Sequence, residues 1–198
     1  YHDSGMHGWE TNTEPNAFAQ AKVEDVAVQL VPIMRQHRPN VVVTYDEHGG
    51  YGHPDHIMAH RVTMAALTTA ADATCFPEAG TPWHVQKVYY TAWARSDALR
   101  VLKLLHRLGQ KTPLRDPDFD PHSLGCPDEL ITTRVNVRPV LRAKWQALCA
   151  HRSQMHQRGF FWWFVRLSGP WLYQYESFRC SYSALPLQRP ESHVFAGL

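Results

Sequence analysis

Three successive features predict an α/β fold: a helical face of apolar residues, a short β-branched run, and a glycine-rich loop that hands over to a second helix. Apolar residues recur at Val23, Val26, Ala27, Leu30, Ile33 and Met34, the spacing of one face of a helix. That helix ends near Arg38-Pro39-Asn40, because the residue before a proline is pushed out of the helical region. Val41 to Tyr45 follows without polar alternation, the pattern of a strand buried on both faces of a sheet. Asp46 to Gly52 is a glycine-rich loop, and Pro54 opens a helix carried by Ile57, Arg61, Met64, Ala65 and Thr68 to about Ala71. In such a layout ligands are expected at the C-terminal ends of the strands, where this loop sits.

The remaining elements are weaker in pattern. A linker from Phe76 to Pro82 leads to a strand within Val85 to Trp93, centred on Val88-Tyr89-Tyr90. Leu99 to Leu108 reads as a helix. The stretch from Lys111 to Pro127, broken by Pro113, Pro117, Pro121 and Pro127, reads as a long irregular excursion. Ile131 to Val137 alternates like a strand, and Pro139 opens a helix through Leu148 to His151. Phe160 to Tyr175 is apolar but interrupted by Arg166, Ser168, Gly169, Pro170 and Gln174. It is therefore read as a packing or pocket-lining segment, with Phe160 to Phe164 at its heart, and not as a membrane span.

The 198 residues, 44% of them hydrophobic, suffice for one domain with a core of its own. Twenty basic residues oppose eighteen acidic ones, and the basic ones are scattered, which excludes a nucleic-acid footprint. Cys75, Cys126, Cys149 and Cys180 show no CxxC spacing and are read as free thiols of a cytoplasmic protein. Tyr1 is not a methionine, and the opening residues read like the middle of a loop, so more chain is expected upstream.

Chemistry is concentrated in Tyr51-Gly52-His53-Pro54-Asp55-His56, where a strand hands over to a helix. Two imidazoles and a carboxylate within four residues offer a metal ligand, a proton-transfer group and a group to orient it. Pro54 fixes the local backbone, and Asp55 in the first helical turn is favoured by the helix dipole. Gly49, Gly50 and Gly52 permit close backbone approach. His60 lies one turn after His56, so the two can face one metal, although the glutamate of an HExxH site is absent.

The run Thr44-Tyr45-Asp46-Glu47-His48-Gly49-Gly50-Tyr51-Gly52-His53-Pro54-Asp55-His56 resembles the signature of the PIG-L-like (LmbE-like) zinc-dependent sugar N-deacetylases that process mycothiol and its precursor. Asp3-Ser4-Gly5-Met6 resembles the substrate-loop motif of that family. Phe76 to Trp83, Lys87 to Tyr90, Ile131 to Val135 and Glu191 to Gly197 are similar to its mycothiol S-conjugate amidase branch. The resemblance implies a single domain over residues 1–198 with a Rossmann-like layered sheet and flanking helices, its N-terminal strand and helix lying outside these residues. It also implies one zinc ion per chain. His56 then matches the zinc-binding histidine and His53 the histidine that protonates the leaving amine. Asp55 matches the carboxylate that orients His53, and Tyr51 the tyrosine that polarises the carbonyl. Asp3 and Met6 match positions that hold the sugar.

The resemblance departs from the family pattern in two places. A His-Pro-Asp-Asp motif, which supplies further zinc ligands and the general base, is not among these residues, and position 48 is histidine where asparagine is usual. The implied activity is hydrolysis of an amide on a glucosamine nitrogen, in a small glucosamine-inositol thiol conjugate or related amino sugar, with no nucleic-acid or membrane partner. Two alternatives stand beside it: deacetylation of the N-acetylglucosaminyl-inositol precursor, and a sugar-binding remnant that has lost hydrolysis.

Overall fold

Helix α1 (Val23–His37) runs over the residues marked by the apolar spacing and stops where Arg38 takes a φ of 47° directly before Pro39. That left-handed residue donates its N–H to the Met34 carbonyl and turns the chain into strand β1 (Val41–Thr44). A single turn, α2 (Gly49–Gly52), precedes α3 (Pro54–Ala71), and strand β2 (Lys87–Ala92) returns parallel to β1 with Val41 beside Lys87 and Thr44 beside Tyr90. The computed structural model describes residues 1–152 and 160–198. It divides into two compact units, the first made of Tyr1–Ala92, Arg179–Gln188 and Val194–Leu198.

Within this unit α3 is the central element. Met58, Val62, Ala66 and Ala70, spaced by four, bury one face against Ala27, Val31 and Met34 of α1. Met64 and Leu67 lie on another side of α3 and pack with Val42, Val88 and Tyr90 of the strands. The helix is thus gripped between α1 and the sheet, which fixes where its N-terminus points.

One expectation is corrected. β1 is not buried on both faces: Val43 is 45% exposed while Thr44 is buried. Among the described strands β1 pairs with β2 alone and so lies at the edge of the sheet, and α3 covers only the face that carries Val42 and Thr44. On the opposite face of β2, Lys87 is fully buried and donates from Nζ to the Ala196 carbonyl at 2.6 Å, so the C-terminal tail packs there.

The second unit comprises Trp93–Phe178 and Arg189–His193. Helix α4 (Arg95–Arg107) begins four residues before the apolar pattern does, because the Asp128 carboxylate accepts hydrogen bonds from the Ser96 N–H and hydroxyl. The proline-rich excursion contains only short turns, at Pro113–Arg115 and Pro121–Ser123. Strand β3 (Thr133–Asn136), helix α5 (Leu141–Ala150), helix α6 (Phe160–Leu172) and strand β4 (Tyr175–Ser183) follow. β3 pairs antiparallel with β4, Thr133 beside Phe178.

Sequence patterning did not reveal β4. In the aromatic run, Phe164 is buried with Val101, Leu104 and Trp145, so it packs a core, whereas Trp163 is half exposed. The side chains of Phe160 and Phe161 lie outside the described residues. All four cysteines are free thiols. Among the described residues no helix is long and apolar enough to cross a membrane.

Arg35 is the strongest polar clamp in the first unit. It is 3% exposed, and its guanidinium donates to the carbonyls of Thr69, Ala70, Asp72, Cys75, Phe76 and Gly80. The cation thereby sits on the negative end of α3 and satisfies carbonyls that the helix terminus leaves without partners. Replacing it with alanine strands those carbonyls away from water. Arg35→Ala is expected to lower the unfolding free energy by about 3–5 kcal/mol and Arg35→Lys by less, since an ammonium has three donors. Urea melts of the two variants check the order, and equal losses would contradict it.

Candidate functional site

The site is assembled at the handover from β1 to α3, within the first unit. Asp46 caps the turn: its Oδ1 accepts the N–H groups of His48 and Gly50 at 3.1 and 2.8 Å, and its carbonyl accepts that of Gly49. Gly49 has a φ of 65° and lies so close to α3 that a Cβ there would stand 2.8 Å from the Ile57 nitrogen and 2.9 Å from the His56 Cβ. Only glycine fits, and its carbonyl is thereby brought within 3.1 Å of His56 Nδ1.

Backbone contacts set the tautomers of three histidines. A carbonyl only accepts, so His56 carries its proton on Nδ1 toward Gly49 and presents a bare Nε2. His60 does the same toward the Tyr45 carbonyl at 3.0 Å. His53 is opposite: as the N-cap of α3 its Nδ1 accepts the Asp55 N–H at 3.2 Å, which leaves Nε2 as the N–H donor. The described bond between these two residues thus comes from the backbone of Asp55 and not from its carboxylate. The rings of His53 and His56 stack at 4.8 Å, and Tyr45 stacks on His56 at 3.9 Å, 4° from parallel.

The Asp55 carboxylate reaches the other way. Its Oδ2 accepts the N–H of Ser4 at 3.0 Å, while Oδ1 is buried with no hydrogen-bond partner. Ser4 is fully buried; its Oγ accepts the Ala19 N–H and its carbonyl accepts Thr11 and Asn12. Asn12 also donates to the Met6 carbonyl and accepts the Gly8 N–H, closing the loop that carries Asp3 and Met6. Sequence reading assigned Ser4 and Asn12 no role; the small polar residue between Asp3 and Gly5 was the available signal.

The structure brings Asp3, His53 and Asp55 together, with one ligand-type atom from each lying within 4.8 Å of the others. His56 stands beside them and outside that trio. Tyr51 is exposed and meets the His56 and His53 rings edge-on at 5.2 and 6.0 Å. Met6 is exposed, as is His48. Burial holds the His56 pKa below the ordinary histidine value, against the raising effect of the Gly49 carbonyl and with help from the neighbouring His53. His56 therefore stays neutral, with its Nε2 lone pair free, to lower pH than an ordinary histidine.

Residues 1–67 match the family described as PIG-L: GlcNAc-PI de-N-acetylase. A protein of Geodermatophilus obscurus named 1D-myo-inositol 2-acetamido-2-deoxy-alpha-D-glucopyranoside deacetylase is 43% identical over 162 residues, covering 81% of this chain and 55% of the relative. Proteins of the same name from Thermobispora bispora and Thermobifida fusca are 44% and 43% identical, covering 78% and 80% of this chain and 50% and 54% of their own lengths. The chain thus spans about half the length of the curated relatives it matches.

Two measurements test the construction of the turn. Gly49→Ala is expected to destabilise more than Gly50→Ala, although both positions have positive φ, because a Cβ at Gly50 meets nothing within 4 Å. The Gly50 change carries only the backbone cost of a Cβ at φ 74° and ψ −69°, the geometry of a tight γ-turn, and the Gly49 change adds to its own positive φ the clash with α3. In metal-free protein, proton NMR is expected to show His56 titrating below an ordinary histidine. With the folded pKa depressed, its contribution to stability is full above the unfolded value and is lost as the pH falls through that window.

Proposed function

We propose that the chain, whose residues 1–67 match the PIG-L family, is a member of the PIG-L-like (LmbE-like) deacetylases and forms part of a zinc-dependent N-deacetylase acting on the acetamido group of an N-acetylglucosaminyl-inositol. The observation that carries the reading is the cluster at the start of α3: a neutral His56 with a bare Nε2, a His53 that donates from Nε2, and a carboxylate oxygen of Asp55 that is buried without a partner. The three relatives named above carry deacetylase names, which favours this substrate over the mycothiol S-conjugate amidase reading.

The donor set fits zinc, which takes imidazole nitrogen and carboxylate oxygen. His56 is the residue we assign to the ion, because a ligating histidine ordinarily gives its other N–H to a carbonyl or carboxylate, as Nδ1 does here to Gly49. Any ligands beyond the described cluster, and the general base, we place in chain outside these residues. When bound, zinc supplies Lewis-acid polarisation of the amide carbonyl and a lowered water pKa.

The remaining steps are carried by this chain. To act as the acid, His53 must exchange the Asp55 N–H on its Nδ1 for a proton. The imidazolium so formed, stabilised by the nearby Asp55 carboxylate, then gives its Nε2 proton to the departing glucosamine nitrogen and returns to the neutral ring. Tyr51, exposed at the rim, places its phenol on the acyl oxygen. Through the Ser4 N–H, Asp55 also holds the loop whose Asp3 and Met6 meet the sugar. In cellular terms, we propose a cytoplasmic enzyme of small-molecule amino-sugar metabolism.

Zinc content and turnover of the gene-length protein decide between ligand schemes. His56→Ala is expected to abolish zinc binding, and His60→Ala and Asp3→Ala to leave it nearly intact. His53→Ala is expected to keep the metal and lose about two to four orders of magnitude in turnover. Retention of zinc in His56→Ala with loss in Asp3→Ala would move the ion onto the Asp3, His53 and Asp55 trio.

A further inference from the structure

A second concavity opens one side chain away from the histidine cluster. Tyr45 links the two places: its ring lies on His56 and its carbonyl holds His60, while His60 lines a cavity of about 440 Å3 together with Glu47, Tyr90, Arg179, Cys180 and Ser181. Thr44, the last residue of β1, pairs with Tyr90. The cavity therefore begins at the strand ends where the catalytic turn also begins, and a substrate built of two linked rings is long enough to reach from one into the other.

The lining chooses the ligand. Arg179 Nη2 donates to Glu47 Oε2 at 2.7 Å, and its guanidinium lies 5.0 Å over the Tyr90 ring, so both charged groups are held in place before anything binds. Glu47 stays ionised, its pKa lowered first by its own backbone N–H and further by Arg179. An anionic ligand would meet that carboxylate, and a cationic one the guanidinium. A neutral polyol meets neither repulsion: its vicinal hydroxyls donate to Glu47 and to the bare Nε2 of His60, accept from the outer N–H groups of Arg179, and exchange hydrogen bonds with Ser181. The Tyr90 ring offers an aromatic surface to the C–H face of such a ring.

We propose that this cavity is the subsite for the polyhydroxylated cyclitol half of the substrate, with Arg179 and Glu47 as its specificity-determining pair. The proposal rests on the deacetylase reading for the identity of the other half. It adds that discrimination between a glucosaminyl-cyclitol and a bare amino sugar resides in a pair of residues 132 positions apart, of which Glu47 lies within the signature run and Arg179 far outside it.

The zinc-loaded, gene-length protein is assayed with N-acetylglucosaminyl-inositol and with free N-acetylglucosamine, in the wild type and in the Arg179→Gln and Glu47→Gln variants. The ratio of kcat/KM for the glycoside over the monosaccharide is expected to fall about tenfold or more in each variant, through KM. Variants that fold like the wild type and keep its ratio would overturn the subsite. Saturation-transfer NMR with free myo-inositol separates this result from the fate of the deacetylase reading. Inositol contacts that vanish in Arg179→Gln support the subsite even if the wild type hydrolyses neither compound, and contacts that persist unaltered overturn it.

Discussion

The N-cap of α3, His53, is the constraint on which the site depends. A helix leaves its first N–H groups without partners, and here a histidine side chain takes one of them. That single bond decides that Nδ1 of His53 faces the backbone and Nε2 faces the cleft. It also sets the helix phase, so that His56 comes round to the Gly49 carbonyl three residues later and His60 to the Tyr45 carbonyl one turn beyond. The alanine-rich seam with α1 keeps the phase, because Ala66 and Ala70 let the two helices approach closely and a rotation of α3 would bring larger groups into that contact.

Local signals in the sequence were enough where one stretch of chain determines the outcome. The ends of α1 and α3 follow from a proline after one and at the start of the other, and the cluster at His53 to His56 is visible because its members are neighbours. What was not legible is what distance in sequence brings together. The Ser96 cap comes from Asp128, the Asp55 carboxylate is held by Ser4 from 51 residues away, and β4 carries no regular alternation that would mark it as a strand of the sheet. The expectation that β1 is buried on both faces failed for the same reason, since three valines in a row record a preference for strand and not which neighbours cover it.

Several side chains at the site take their chemical state from the backbone. Carbonyls of Gly49 and Tyr45 put protons on Nδ1 of two histidines, and an amide takes the lone pair of a third. Main-chain groups cannot rotate away or titrate, so these tautomers are set before a substrate arrives. Asp55 is held similarly, by one amide, and its second oxygen remains buried and unpartnered. Such an oxygen is costly unless a proton or a cation faces it, which is the condition a working acid–base and metal site would meet.

The same physical accounting bears on substrate choice. The segment Phe76 to Trp83, which is similar to the amidase branch, spends its polar groups on the scaffold. The Phe76 and Gly80 carbonyls receive Arg35, and the Trp83 indole N–H donates to the Pro39 carbonyl. Phe76 packs against the α1 and α3 core, and Trp83 against Val85 and Val88. Residues committed in this way record how the C-terminal end of α3 is closed, at the opposite end of the helix from His53. A segment at that end tells little about the acyl group cut at the other, and selectivity has to be sought among the groups around the N-terminal turn, where Tyr45 stacks on His56 and holds His60 beside the Glu47 and Arg179 pair.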